Sequence, residues 1–175
     1  KNVALTYLML LNDATVVQLC LQQYNSANNM TDASAALAAL IQCDAPFVTP
    51  DRERILKLFY RRWQHEPLAI NLWFQLQAIS RLPDTLSQVK ALMQHEAFDL
   101  RNPNKVRAVI GAFTAQNPVH FHAADGSGYT FLAEQVLALD AINPQIAARL
   151  VSPLTRWHKQ PPEKQAFMRN ALKQI

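Results

Sequence analysis

The chain is poor in glycine, in cysteine and in charge, and each scarcity narrows what it can be. Only three glycines occur in 175 residues, beside ten prolines that fall between periodic segments rather than inside them. With abundant Ala, Leu and Gln, this composition points to an all-α chain. The two cysteines, Cys20 and Cys43, lie far apart inside helical patterns. They read as small buried hydrophobes rather than a disulfide framework or a metal site, and a reducing, cytoplasmic setting is the default expectation. No run of about 18 apolar residues exists, and the opening KNVALTYLMLLND is too short to span a bilayer and has no cleavage site. Charged residues make up 17% of the chain, with a net charge of +4 and a pI near 9.3. The basic residues are dispersed, Arg61-Arg62 excepted, so neither a nucleic-acid partner nor a membrane surface is expected. Finally, no Ser-His-Asp or Cys-His arrangement and no phosphate-binding glycine loop is present.

What remains is one amphipathic helix after another. Half of the residues are hydrophobic, enough for a core, and residues 1–175 fit one helical domain or one compact piece of a larger one. The first residue is Lys within a helical pattern, which suggests a segment of a longer polypeptide. Asp13 is placed to cap a helix from Ala14 to about Tyr24 that buries Val16, Val17, Leu19 and Cys20. Thr31 or Asp32 starts an alanine-rich inner helix over Ala33–Cys43. Thr49-Pro50-Asp51 predicts a Thr cap with Pro at the first helical position, and a face of Ile55, Leu58, Phe59 and Trp63. Further helices are predicted over Leu68–Ser80, Thr85–Gln94, Pro103–Ala115, Pro118–Phe121 and Gly128–Leu139. The chain runs helical from Asn143 to Trp157 with a break at Pro153, and a last helix starts at Pro161-Pro162-Glu163. Helices of this length with short linkers form stacked antiparallel pairs, as in α-solenoids of the armadillo or HEAT type. No repeat of fixed period accompanies them.

Three motifs have a metal-binding look. His95-Glu96-Ala97-Phe98-Asp99 is one residue away from the H-E-x-x-H zinc helix, but it falls where its helix should end and has no downstream Glu. His65-Glu66-Pro67 is stopped by its own proline. His120-Phe121-His122 with Asp125 collects two imidazoles and a carboxylate within six residues, next to Gly126-Ser127-Gly128. Yet His-x-His directs its rings apart, and Asp125 and Ser127 are natural turn and cap residues, so a structural corner accounts for the same residues. No metal ligand and no catalytic residue is assigned from these motifs.

The stretch Asn102–Leu150 holds all three glycines and three Asn-Pro pairs. Asn-Pro starts a helix because the Asn side chain accepts from an orphan N–H while Pro surrenders no needed donor. Two of the helices so begun place arginine in apolar company: Arg107 among Val106, Ala108, Val109 and Ile110, and Arg149 among Ile146, Ala147, Leu150 and Val151. Gln145 lies one turn from Arg149 on the same face. Such an arginine is paired with an internal acid, exposed on the surface, or aimed at an anionic ligand group that its planar fork suits.

The segments KNVALTYL, NPNKVRAVIGAF, NPVHFHAADGSGYTFLAEQV and NPQIAARLVSPLTRW closely resemble the C-terminal region of the bacterial aminopeptidase N family, the zinc-dependent alanyl aminopeptidases. The similarity runs through nearly the whole chain. It implies the later part of a helical domain that caps the active site of a cytoplasmic metallopeptidase and encloses a cavity. The family's H-E-x-x-H motif, its third Glu ligand and its catalytic residues belong to another domain and are absent here. The resemblance therefore implies no cofactor in this segment and zinc in the catalytic domain of the same polypeptide. It further implies that Arg107, Gln145 and Arg149 face the cavity near the downstream end of a bound peptide substrate. The segment alone is expected to be inactive. The alternative is a free-standing α-solenoid adaptor that binds a protein partner along its concave face.

Overall fold

Aspartate or asparagine side chains cap five of the helix starts in the computed structural model, which describes Lys1–Ile175. Every element is helical and no strand is present. The chain divides into two compact units, Lys1–Leu76 and Gln77–Ile175.

In the first unit, α1 (Asn2–Met9), α2 (Ala14–Ser26) and α3 (Met30–Gln42) pack on one another. Asp13 caps α2 as its sequence implies, accepting from the Thr15 and Val16 amides at 2.8 and 3.2 Å. The cap of α3 is Asn29, which accepts from the Asp32 amide at 2.8 Å, rather than Thr31 or Asp32. Asp32 serves instead in a polar clasp: Asn2 donates to its carboxylate at 2.9 Å. Gln23 donates to Asn2 Oδ1 at 2.9 Å and to the Asp32 carbonyl at 3.2 Å, joining all three helices. Helix α3 is the inner one, with Ala36, Leu37 and Leu40 fully buried. The α2 stripe is Val16, Val17, Cys20 and Leu21; Leu19 lies one residue off it and is 49% exposed. Both cysteines are buried and unpaired. Burial, with the neighbouring Cys43 adding to it, pushes the Cys20 thiol up to about 12, so it behaves as an inert hydrophobe whose Sγ donates to the Ala36 carbonyl at 3.3 Å.

A short 3₁₀ turn (Pro46–Val48) runs directly into α4 (Thr49–Trp63). Thr49 is therefore a helical residue with φ −53° and not a cap, and its hydroxyl accepts from Arg52 at 3.1 Å. Ile55 and Phe59 are buried, whereas Leu58 is 43% exposed. Trp73 on α5 (Pro67–Ala78) donates to the Leu56 carbonyl at 3.1 Å and stacks on Tyr60 at 5.2 Å.

The second unit contains α6 (Thr85–Leu92), then α7 (Pro103–Val106), a π-helical turn (Arg107–Gly111) and α8 (Ala112–Gln116) in one run. Next come α9 (Pro118–Phe121), α10 (Ser127–Asp140), α11 (Pro144–Leu150), α12 (Ser152–Thr155) and α13 (Pro162–Gln174). The Asn-Pro starts behave as their chemistry requires. Asn102 accepts from the Asn104 amide at 2.9 Å, Asn117 from His120 at 3.3 Å and Asn143 from Ile146 at 3.3 Å. Asn117 does more than cap. Only 2% exposed, it also donates to the carbonyls of Ala78 and Ser80 at 3.1 and 2.7 Å, groups that would otherwise be orphaned at the end of α5. An aromatic cluster forms the core: Phe113 meets Phe131 at 5.5 Å and Phe121 at 6.4 Å, edge to face. Each such pair contributes about 0.5–1.5 kcal/mol beyond area burial. Helix α10 packs on both α11 and α13. The break between α11 and the short α12 falls at Val151, two residues before the expected Pro153, which sits in the first turn of α12 where its missing N–H is not needed.

Candidate functional site

A cleft of about 600 Å³ opens in the second unit, walled by the α7–π–α8 run, the corner after α9, and the α11–α12 segment through Gln160. That volume lies within the range of small-ligand clefts. Arg107, Gln145 and Arg149 all line it, and Arg156 joins them. Its apolar wall includes Phe121, Ile146 and Leu150, and no Asp or Glu contributes to its lining.

The π turn explains why one helical run keeps its face on the cleft for so long. Ala112 donates its amide to the Arg107 carbonyl, five residues back. In an α-helix a step of four residues overshoots a full turn by about 40°, so successive positions drift around the axis. A π turn takes more than four residues and undershoots, which cancels part of the drift. Pro103, Arg107, Gly111 and Ala115 consequently all reach the cleft.

Arg107 is held in place by its own helix start. Its Nε donates to the Pro103 carbonyl at 3.3 Å and its Nη2 to Asn104 Oδ1 at 2.5 Å. Both acceptors are neutral, so the guanidinium charge is oriented but not neutralised. Arg149 and Arg156 are exposed on the cleft wall, and no carboxylate is within ion-pair distance of any of the three. Of the three roles open to arginine in apolar surroundings, internal pairing with an acid is thus absent. The cleft is a concave surface of uncompensated positive charge, the electrostatic setting that attracts an anion.

Arg156 was not singled out in the sequence. It lies seven residues after Arg149, two helical turns on the same face, and that spacing was the available signal. The break expected at Pro153, between them, obscured it.

The His120-Phe121-His122 corner is built by packing. A methyl group on Gly128 would stand 2.4 Å from the Phe121 carbonyl oxygen and 2.8 Å from its Cα. Gly126 has φ +72°, and the Phe167 ring lies 2.7 Å from where its Cβ would be. Asp125 accepts from the Ser127 amide at 3.0 Å; the helix begins at Ser127, one residue before the predicted Gly128, with Gly126 at the cap position. His122 alone of the corner's polar groups faces the cleft. Its Nδ1 lies 2.8 Å from the Tyr129 hydroxyl. Burial raises Tyr129 and lowers His122, the latter helped by Lys164.

The H-E-x-x-D segment is not a helix. His95 Nδ1 accepts from the Ala97 amide at 3.1 Å and Asp99 pairs with Arg101 at 3.1 Å. Nowhere do three His, Cys, Asp or Glu side chains converge as metal ligands.

With this geometry in place, likeness to known proteins becomes informative. Residues 1–175 match a family described as a domain of unknown function (DUF3458_C), ARM repeats. Over 175 residues the chain is 39% identical to "Aminopeptidase N" of Escherichia coli (strain K12), covering 100% of this chain and 20% of that protein. It is 37% identical to "Aminopeptidase N" of Haemophilus influenzae, covering 100% and 19%. A solved structure, Legionella pneumophila aminopeptidase A in complex with aspartic acid, superposes with a TM-score of 0.91 at 36% identity, over 99% of this chain and 20% of that one. The chain spans about a fifth of the length of these relatives, and none of its helices is long and apolar enough to cross a membrane.

Proposed function

Because the chain belongs to the DUF3458_C ARM-repeat family and aligns throughout with aminopeptidase N, we propose that it is the non-catalytic, C-terminal helical piece of a metallo-aminopeptidase's capping domain. In this reading the parent enzyme releases N-terminal amino acids from peptides in the cytoplasm. The catalytic domain of the same polypeptide supplies the zinc, whose ligands this chain does not assemble. The cleft helps to close the active-site cavity, and Arg107, Gln145 and Arg149 hold the downstream part of the peptide. The observation that carries the proposal is the meeting of these three side chains in one cleft that no carboxylate neutralises. Their contribution is orientation and binding rather than bond making.

The test is Arg149→Ala in the full-length protein. A lost charge-assisted contact is expected to raise KM for peptides about tenfold with little change in kcat, while zinc content and helicity stay at wild-type levels. Unchanged KM across peptides of three to six residues would overturn the role. No observation favours the free-standing adaptor, since the relatives contain this segment within much longer chains.

A further inference from the structure

The cleft carries more positive charge than one peptide carboxylate can satisfy. Arg107 is oriented by neutral acceptors, and Arg149 and Arg156 have neither an ion pair nor a side-chain hydrogen bond. All three line one cleft without an acidic residue. Like charges gathered in a cleft repel one another, and a bound anion relieves that repulsion. A single carboxylate offers two oxygens, enough for one guanidinium fork. At least one arginine is then left without a counter-charge.

We propose that Arg149 and Arg156 together form a site for a dianion, so that the cleft favours peptides ending in Glu or Asp over their amide isosteres. This rests on the peptide-binding reading above and adds a substrate class to it. In a C-terminal acidic residue the two carboxylates are tethered by a few bonds. Once the first is bound, the second meets its arginine at high effective concentration and at little further entropic cost. Arg149 and Arg156 lie on either side of Val151, where α11 gives way to α12, so this break sets the spacing of the two cations. Gln145 and Gln160 add neutral polar groups to the same wall, and Ile146 and Leu150 give the peptide's apolar groups a surface.

Alanyl peptides of three to six residues that end in Glu or in Gln distinguish the charge from the size, because the pair differs by one negative charge. In the full-length enzyme at low ionic strength, kcat/KM is expected to favour the Glu peptide by about two- to fivefold, the range for a partly exposed ion pair. Added salt should shrink the preference. Arg156→Gln is expected to bring the ratio to about one, and Arg156→Lys to retain part of it. Far-ultraviolet circular dichroism of each variant reports whether the fold is kept. A wild-type ratio near one at every length, or a preference that survives in Arg156→Gln, overturns the dianion site. If Arg149→Ala raises KM while the Glu preference ignores Arg156, only the dianion assignment falls. If Arg149→Ala changes KM for neither peptide, the peptide-binding reading falls, and the dianion site with it.

Discussion

His122 shows how a single residue can look functional for one reason and matter for another. In the sequence it belongs to a His-x-His pair suggestive of a metal, but no set of three His, Cys, Asp or Glu side chains gathers there. In the structure its Nδ1 shares a 2.8 Å hydrogen bond with the hydroxyl of buried Tyr129, and it faces the cleft. Burial lowers its pKa from the usual 6.5, with Lys164 adding repulsion. The linkage has a definite sign. Above pH 6.5 the imidazole is neutral both folded and unfolded, so it contributes no pH dependence there. As pH falls below that value the unfolded chain binds the proton first, and stability is lost until pH passes below the folded value. Thermal denaturation from pH 8 to pH 5 should show Tm falling over this window, and His122→Gln should flatten the fall. An unchanged slope in the variant would assign it elsewhere. The Asn caps at 102, 117 and 143 were legible at this scale, because an Asx cap involves only its neighbours in sequence. The buried bonds from Asn117 to Ala78 and Ser80 were not, since they join residues 39 and 37 positions apart.

Among the elements, the run from Pro103 to Gln116 is the most informative. Its periodicity predicts one α-helix, and one helical run is found, but with a π turn over Arg107–Gly111. Gly111 has helical angles, φ −61° and ψ −41°, and a Cβ there would meet only ordinary contacts at 3.8 Å. Gly111→Ala should therefore stabilise the chain by about 0.4–1 kcal/mol through reduced unfolded-state entropy. Gly128 sits in the opposite situation, with the Phe121 carbonyl where its Cβ would go. Gly128→Ala should destabilise by about 1–3 kcal/mol. Urea denaturation midpoints check both signs, and a destabilised Gly111→Ala would indicate that the π turn itself requires glycine. The first-half corrections have a common cause. Thr49 and Thr31 carry residue types suited to caps, but Pro46–Val48 enters α4 already helical and Asn29 starts α3 earlier. Leu19 and Leu58 are apolar residues on helices whose neighbours cover a narrower stripe than composition suggests.

For the molecule as a whole, the division of labour is the main expectation. The chain offers a basic cleft but no assembled metal ligands. On the proposed reading, the 175-residue chain supplied with zinc is expected to release no amino acid from peptides, whereas the full-length protein is expected to do so. A peptidase assay of both, side by side, checks this, and turnover by the chain alone would mean that it houses the chemistry after all. The all-α, armadillo-like character was readable from few glycines, proline-separated helices and short linkers, and the ARM-repeat family match agrees with it.

By itself, the sequence determined the helical class and most helix starts, and marked Arg107, Gln145 and Arg149 as candidates, because caps, prolines and 3.6-residue spacing act over a few neighbours. Tertiary structure alone decided that these three share one cleft with Arg156, that no acid neutralises them, and that His122 is hydrogen-bonded to Tyr129. Those facts depend on which helices pack together, and local spacing carries no record of contacts between residues far apart in the chain.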